Sequence, residues 1–136
     1  MRSLKASAAA AGRTFKRGRP VEDKPVVVMV VTSSEENARA IARMLVEKRL
    51  AACVQALPIA STYRWDGEIE SAAEVLLLVK TRAGVFSELE AAIVDMHPYD
   101  VPEIVSVPTG AVHAPYRDWL VAETSPPSPS SPGLSG

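Results

Sequence analysis

The chain has 136 residues, 47% of them hydrophobic, enough for one domain with its own core and too few for two comfortable ones. Its formal charge of −1 hides an asymmetry: the first 24 residues carry seven Lys and Arg against Glu22 and Asp23, a net +5 that leaves −6 for the remainder. The acidic body lacks the basic face of a nucleic-acid binder, the single cysteine rules out a disulfide framework and any multi-cysteine zinc site, and no apolar run approaches the roughly 20 residues of a membrane span.

Residues 1–24 contain Arg, Ala and Ser, and no acid before Glu22. They are expected to form a basic disordered arm, with an organelle transit peptide or an export signal as alternatives. The lone Cys53 fits a reducing compartment, so the expected location is cytoplasmic, or an organelle if the arm is a transit segment. Residues 125–136 form a Pro/Ser/Gly-rich tail that cannot bury enough apolar surface to fold. The domain is therefore expected at about 25–124.

Within it, "VVVMVV" (Val26–Val31) is a short β-branched run apolar on both faces, as in a central strand. Ser33-Ser34-Glu35-Glu36 then has the pattern of a capping box, in which a serine hydroxyl accepts from a free backbone N–H and the glutamate reaches back. The helix it starts has an apolar stripe of Ala38, Ile41, Ala42, Leu45 and Val46. "LAACVQALPIASTYRW" reads as a strand interrupted at Pro58 by a bulge or bend, since proline has no N–H to give a ladder. Asp66-Gly67 is a hairpin turn, and the chain returns through "EIESAAEVLLLVKT". Val85, Leu89, Ala92, Ile93 and Met96 mark a second helix, which must stop near His97 because Pro98 disfavours helical geometry in the residue before it. "EIVSVP" (Glu103–Pro108) is a further strand, and Tyr116, Trp119 and Leu120 after Pro115 mark a short last helix.

The order βαββαβ plus a terminal helix predicts an α+β, ferredoxin-like antiparallel sheet with two helices on one face. Its other face should be polar in a lone domain, yet Val26–Val31 and Val75–Val79 are apolar at almost every position. The expected cover is another copy of the chain.

Residues for chemistry are few. The sequence has no GxGxxG, CxxC, HExxH or GxSxG, which argues against an enzyme. Cys53, among small apolar residues, is either a buried hydrophobe or a soft metal ligand. His97 either finishes its helix, where imidazolium meets the negative end of the dipole, or binds a metal or ligand. Lys80 either snorkels or places its ammonium at the rim of a cleft. Tyr63 and Trp65 share one strand face and pack at an interface or stack on a ligand. His113 is expected to be solvated. "MHPYDVPEI" holds Tyr99, Asp100 and Glu103 between and after two prolines, as a rigid connector lining a cleft.

Together, "EKRLAACV", "YRWDGEIE", "EVLLLVKT", "HPYDVPEI" and the closing Tyr116-Arg117-Asp118-Trp119-Leu120 resemble the CutA family, the divalent-cation-tolerance proteins, over about residues 26–123. The resemblance implies a compact homotrimer, similar in architecture to the PII signalling proteins, with the hairpin wrapping a neighbour. It implies a non-enzymatic role in tolerance of copper or another divalent cation, the only cofactor it brings, with His97, Met96 and Cys53 as metal candidates. In relatives proposed to hold copper, a cysteine stands where this chain has Val30 and a histidine where it has Met96. The alternative is a PII-like signalling trimer that takes a small anionic ligand in the inter-subunit cleft, with Lys80, Tyr99, Trp65, Tyr63, Asp100 and Glu103 as its lining. A third reading is a purely structural trimer that scaffolds another protein.

Overall fold

The computed structural model describes residues 21–127. The elements follow in the order β1 (Pro25–Thr32), α1 (Glu35–Glu47), β2 (Cys53–Trp65), β3 (Glu68–Arg82), α2 (Phe86–Met96), β4 (Glu103–Pro108) and α3 (Ala114–Glu123). The four strands form one antiparallel sheet in the order β2-β3-β1-β4, with β1 paired to both β3 and β4. This is the expected α+β arrangement. The basic arm falls outside the described residues except for its last four, of which Val21–Asp23 form a 3-10 turn; of the tail, only residues 125–127 are described.

Strand alternation divides the apolar residues between two faces. Val28 and Val30 of β1 and Leu77 and Val79 of β3 pack with Ile41 and Leu45 of α1 and Leu89 and Ile93 of α2 in a core that excludes solvent from all eight. Each such side chain contributes about 1.5–3 kcal/mol relative to an exposed one. The intervening residues, Val27, Met29, Leu76 and Leu78, point the other way and are half-buried, while Leu57, Val105 and Val107 beside them are exposed. The apolar second face expected from the sequence is present. Val46, counted in the stripe of α1, is exposed, because one residue beyond Leu45 it has turned about 100° away from the core.

Two local features differ from the sequence expectation, and a third is one for which the sequence carried no signal. The capping serine is Ser34, whose Oγ accepts from Asn37 N–H at 3.0 Å. Asn37 therefore holds the position expected for Glu36, and its carboxamide is drawn to the Thr32 hydroxyl. Pro58 causes no bulge: β2 and β3 pair residue for residue from Cys53↔Lys80 through Pro58↔Val75 to Trp65↔Glu68. Being at the edge of the sheet among the described residues, β2 can turn the proline nitrogen away from β3. Finally, α1 closes in a Schellman motif, Leu50 N–H donating to Leu45 O at 2.8 Å and Arg49 N–H to Val46 O at 3.1 Å, with Arg49 at φ 60° where glycine is usual.

The hairpin turn is as expected: Asp66 and Gly67 have φ of 53° and 80°, the geometry of a type I′ turn. At the opposite end of the sheet, Arg82 donates through Nε to Thr124 Oγ1 at 3.1 Å and through Nη2 to Thr124 O at 2.9 Å, and lies 3.9 Å from Asp23. Ala83 N–H donates to Lys24 O at 2.9 Å. Both ends of the described chain are thus fastened around Arg82, where α3 lies against β1 and β3.

Candidate functional site: an acidic, aromatic pocket beside the α2–β4 connector

Pro98 sets the geometry of the connector. It holds His97 in extended backbone (φ −84°, ψ 138°), which ends α2 at Met96. The His97 ring then turns towards β1, away from the last carbonyls of its own helix. Its Nε2 lies 2.8 Å from Val31 O, and its Nδ1 lies 3.0 Å from Tyr99 N. A carbonyl can only accept and a backbone N–H can only donate, so Nε2 carries the proton and Nδ1 the lone pair. Both nitrogens are committed to backbone groups, and the imidazole has no free lone pair for a metal ion. His97 works as a clasp between the connector and β1.

That clasp positions Tyr99. Its ring lies against His97, centroids 4.9 Å apart, and its hydroxyl donates to Glu74 Oε2 at 2.6 Å. Glu74 belongs to the second face of β3 and is only 8% exposed. Burial, the hydrogen bond to Glu74 and the charge of Glu74, with a smaller effect of Tyr63, push the Tyr99 phenol up to about 12. Tyr99 is therefore a neutral donor at ordinary pH. Because the folded-state value lies above the unfolded value of about 10, its contribution to stability is complete below that value and is lost as pH rises through the folded-state value. An absorbance titration is expected to show one tyrosine ionising near pH 12 that is missing from Tyr99→Phe; the same curve for both proteins would refute the assignment.

Between connector and hairpin lies a pocket of about 330 Å³. Tyr63 and Trp65 of β2 and Tyr99 supply aromatic walls, Glu74, Asp100 and Glu103 supply carboxylates, and Val31 and Val101 complete it. Five of the six residues expected to line a cleft, Tyr63, Trp65, Tyr99, Asp100 and Glu103, meet here. Lys80 does not line it. It stands six residues from Glu74 along β3, about 20 Å at strand rise, and its Nζ donates to Gln55 Oε1 at 2.7 Å. The expected anionic ligand would thus meet carboxylates and no lysine or arginine among the lining residues.

The metal candidates are not brought together in one chain. Met96 packs against the core. Cys53 pairs with Lys80, which pairs with Val27, whereas His97 holds Val31, about 13 Å further along β1. Among the described residues, no three His, Cys, Asp or Glu side chains are grouped to hold a metal ion. His113 is exposed at the start of α3. Glu74 is the charged lining residue that the sequence did not single out; its one signal is an acid directly before the apolar run "VLLLV".

Residues 26–123 match the family described as CutA1 divalent ion tolerance protein. The divalent-cation tolerance protein CutA of Thermus thermophilus is 48% identical over 99 residues, 72% of this chain and 96% of that protein. The human protein CutA is 41% identical over 92 residues, 67% of this chain and 51% of its own length, and Arabidopsis thaliana has a relative named as chloroplastic that is 36% identical over 73% of this chain and 55% of its own. The chain thus spans nearly all of the bacterial relative and about half of these longer ones. Among solved structures, CutA from Archaeoglobus fulgidus, described as periplasmic, superposes with a TM-score of 0.73 at 36% identity, covering 74% of this chain and 99% of that one. The Thermus thermophilus structure gives 0.69 at 48% identity over 71% and 94%. Sequence, strand order and hairpin lead to one conclusion: this chain belongs to the CutA1 divalent ion tolerance family.

Proposed function

We propose that the protein acts in divalent-cation tolerance, copper included, as a non-enzymatic homotrimer. The observation that carries this reading is the apolar second face of the sheet, with Val27, Met29, Leu76 and Leu78 between the exposed Leu57 and Val105, in a chain whose family is one of ion tolerance. A face of this kind is covered in the working protein, and copies of the same chain are the most economical cover. Metal contact is weak on this reading, and His97, whose ring nitrogens are both engaged, is not its anchor. A reducing, cytoplasmic setting suits the unpaired Cys53.

One experiment addresses both parts. Cells lacking the protein should grow poorly in raised copper(II) and recover with the wild-type chain but not with Leu78→Glu, which sets three like charges against one another across the interface. Light scattering should give three chain masses for the wild type and one for the variant. A monomeric wild type, or unchanged growth without the protein, would sink the proposal.

A further inference from the structure

We propose that the pocket beside the connector binds a small organic cation, an alkyl diamine or quaternary ammonium, with its charge against Glu74 and its carbon chain between Tyr63 and Trp65. The claim goes beyond ion tolerance and stands apart from it.

Three observations carry it. The first is size and wall chemistry: about 330 Å³ lies at the lower end of ordinary small-molecule sites, far more than a bare ion occupies, and three of the lining residues are aromatic. In the single chain Trp65 is 55% exposed and Tyr63 43% exposed, so neither ring is spent on packing within its own subunit. The faces of such rings attract ammonium groups.

The second is charge. The lining holds three acids, Glu74, Asp100 and Glu103, and no lysine or arginine. Glu74 is more than nine-tenths buried, yet its partner is the neutral Tyr99 hydroxyl on one oxygen. A buried carboxylate in this setting gains most from a cationic donor. Tyr99 holds that carboxylate in place and is itself positioned by the His97 clasp.

The third is spacing. Glu74, Asp100 and Glu103 border one pocket but are not grouped as metal ligands. A hard divalent ion needs several oxygens converging at about 2.0–2.6 Å. Acids spread around an aromatic-walled volume instead match a cation whose charge is spread over an extended body.

Calorimetric titration of the intact wild-type protein with putrescine and with tetramethylammonium tests this, with magnesium and succinate as the inorganic and anionic counterparts. Expected are saturable binding of at least one organic cation, weakening by about tenfold or more in Glu74→Gln, which keeps an acceptor for Tyr99 but removes the charge, and weaker binding in Trp65→Ala. Asp100→Asn, at an exposed position, supplies a second charge variant should Glu74→Gln fail to fold. No binding of either organic cation, equal affinity in the charge variants, or preference for magnesium or succinate would overturn the proposal. A lysine or arginine of a neighbouring copy filling the pocket would appear as no binding and would likewise overturn it. Loss of copper tolerance and chain mass are read separately, so either proposal can fail without the other.

Discussion

Leu77→Ala is expected to lower the unfolding free energy by about 2–5 kcal/mol. Leu77 sits mid-strand in β3, paired with Val30 on one side and Ala56 on the other, and is fully buried under α1 and α2. Its neighbours belong to three strands and two helices with covalent routes of their own, so they cannot all collapse into the space left. Urea unfolding followed by far-ultraviolet circular dichroism, at one fixed protein concentration, measures the loss. Leu77→Met, of similar volume, should cost less than about 1.5 kcal/mol. Equal midpoints for the alanine variant and the wild type would mean that Leu77 is not in the core.

His97→Ala is expected to cost about 1–3 kcal/mol, because it leaves Val31 C=O and Tyr99 N–H without their partner. The more telling effect is on Tyr99. Freed from the clasp, its hydroxyl should lose its fixed approach to Glu74, and its ionisation should fall from near 12 towards the ordinary value of about 10. Copper(II) affinity should stay the same, since neither ring nitrogen is open to a metal. A variant that loses copper binding but keeps its stability and its tyrosine titration would identify His97 as a ligand after all.

What the sequence made legible follows from which interactions are local. Periodicity was enough for the strands and helices, and Asp66-Gly67 declared its turn because positive φ at two successive residues demands such residues. Pro58 misled because its cost depends on whether a strand is central or at the edge, and strand order is a property of the whole sheet. The end of α1 gave no signal, since Arg49 adopts the left-handed conformation that glycine would have announced. The cap moved by one residue because Ser33 and Ser34 are adjacent and either could serve.

The pocket was partly legible for a similar reason. Tyr63 and Trp65 share a strand face by alternation, and Tyr99, Asp100 and Glu103 lie in one short connector, so two of its walls are local in sequence. Their meeting depends on the β2–β3 register, which also buries Glu74 and carries Lys80 to the other end of the strand. Sequence spacing showed that His97 would stop a helix but not that its ring would reach across to Val31, an interaction 66 residues apart.

The fastening at Arg82 gives the subunit two poles. Pro25 and Arg82 pair at one end of the β1–β3 ladder, and Thr32 and Val75 at the other, about 23 Å away at strand rise. The described chain begins and ends at the first pole, while the pocket opens at the second. A fluorophore or affinity handle placed at Val21 or Ser125 therefore sits on the side of the subunit remote from the pocket.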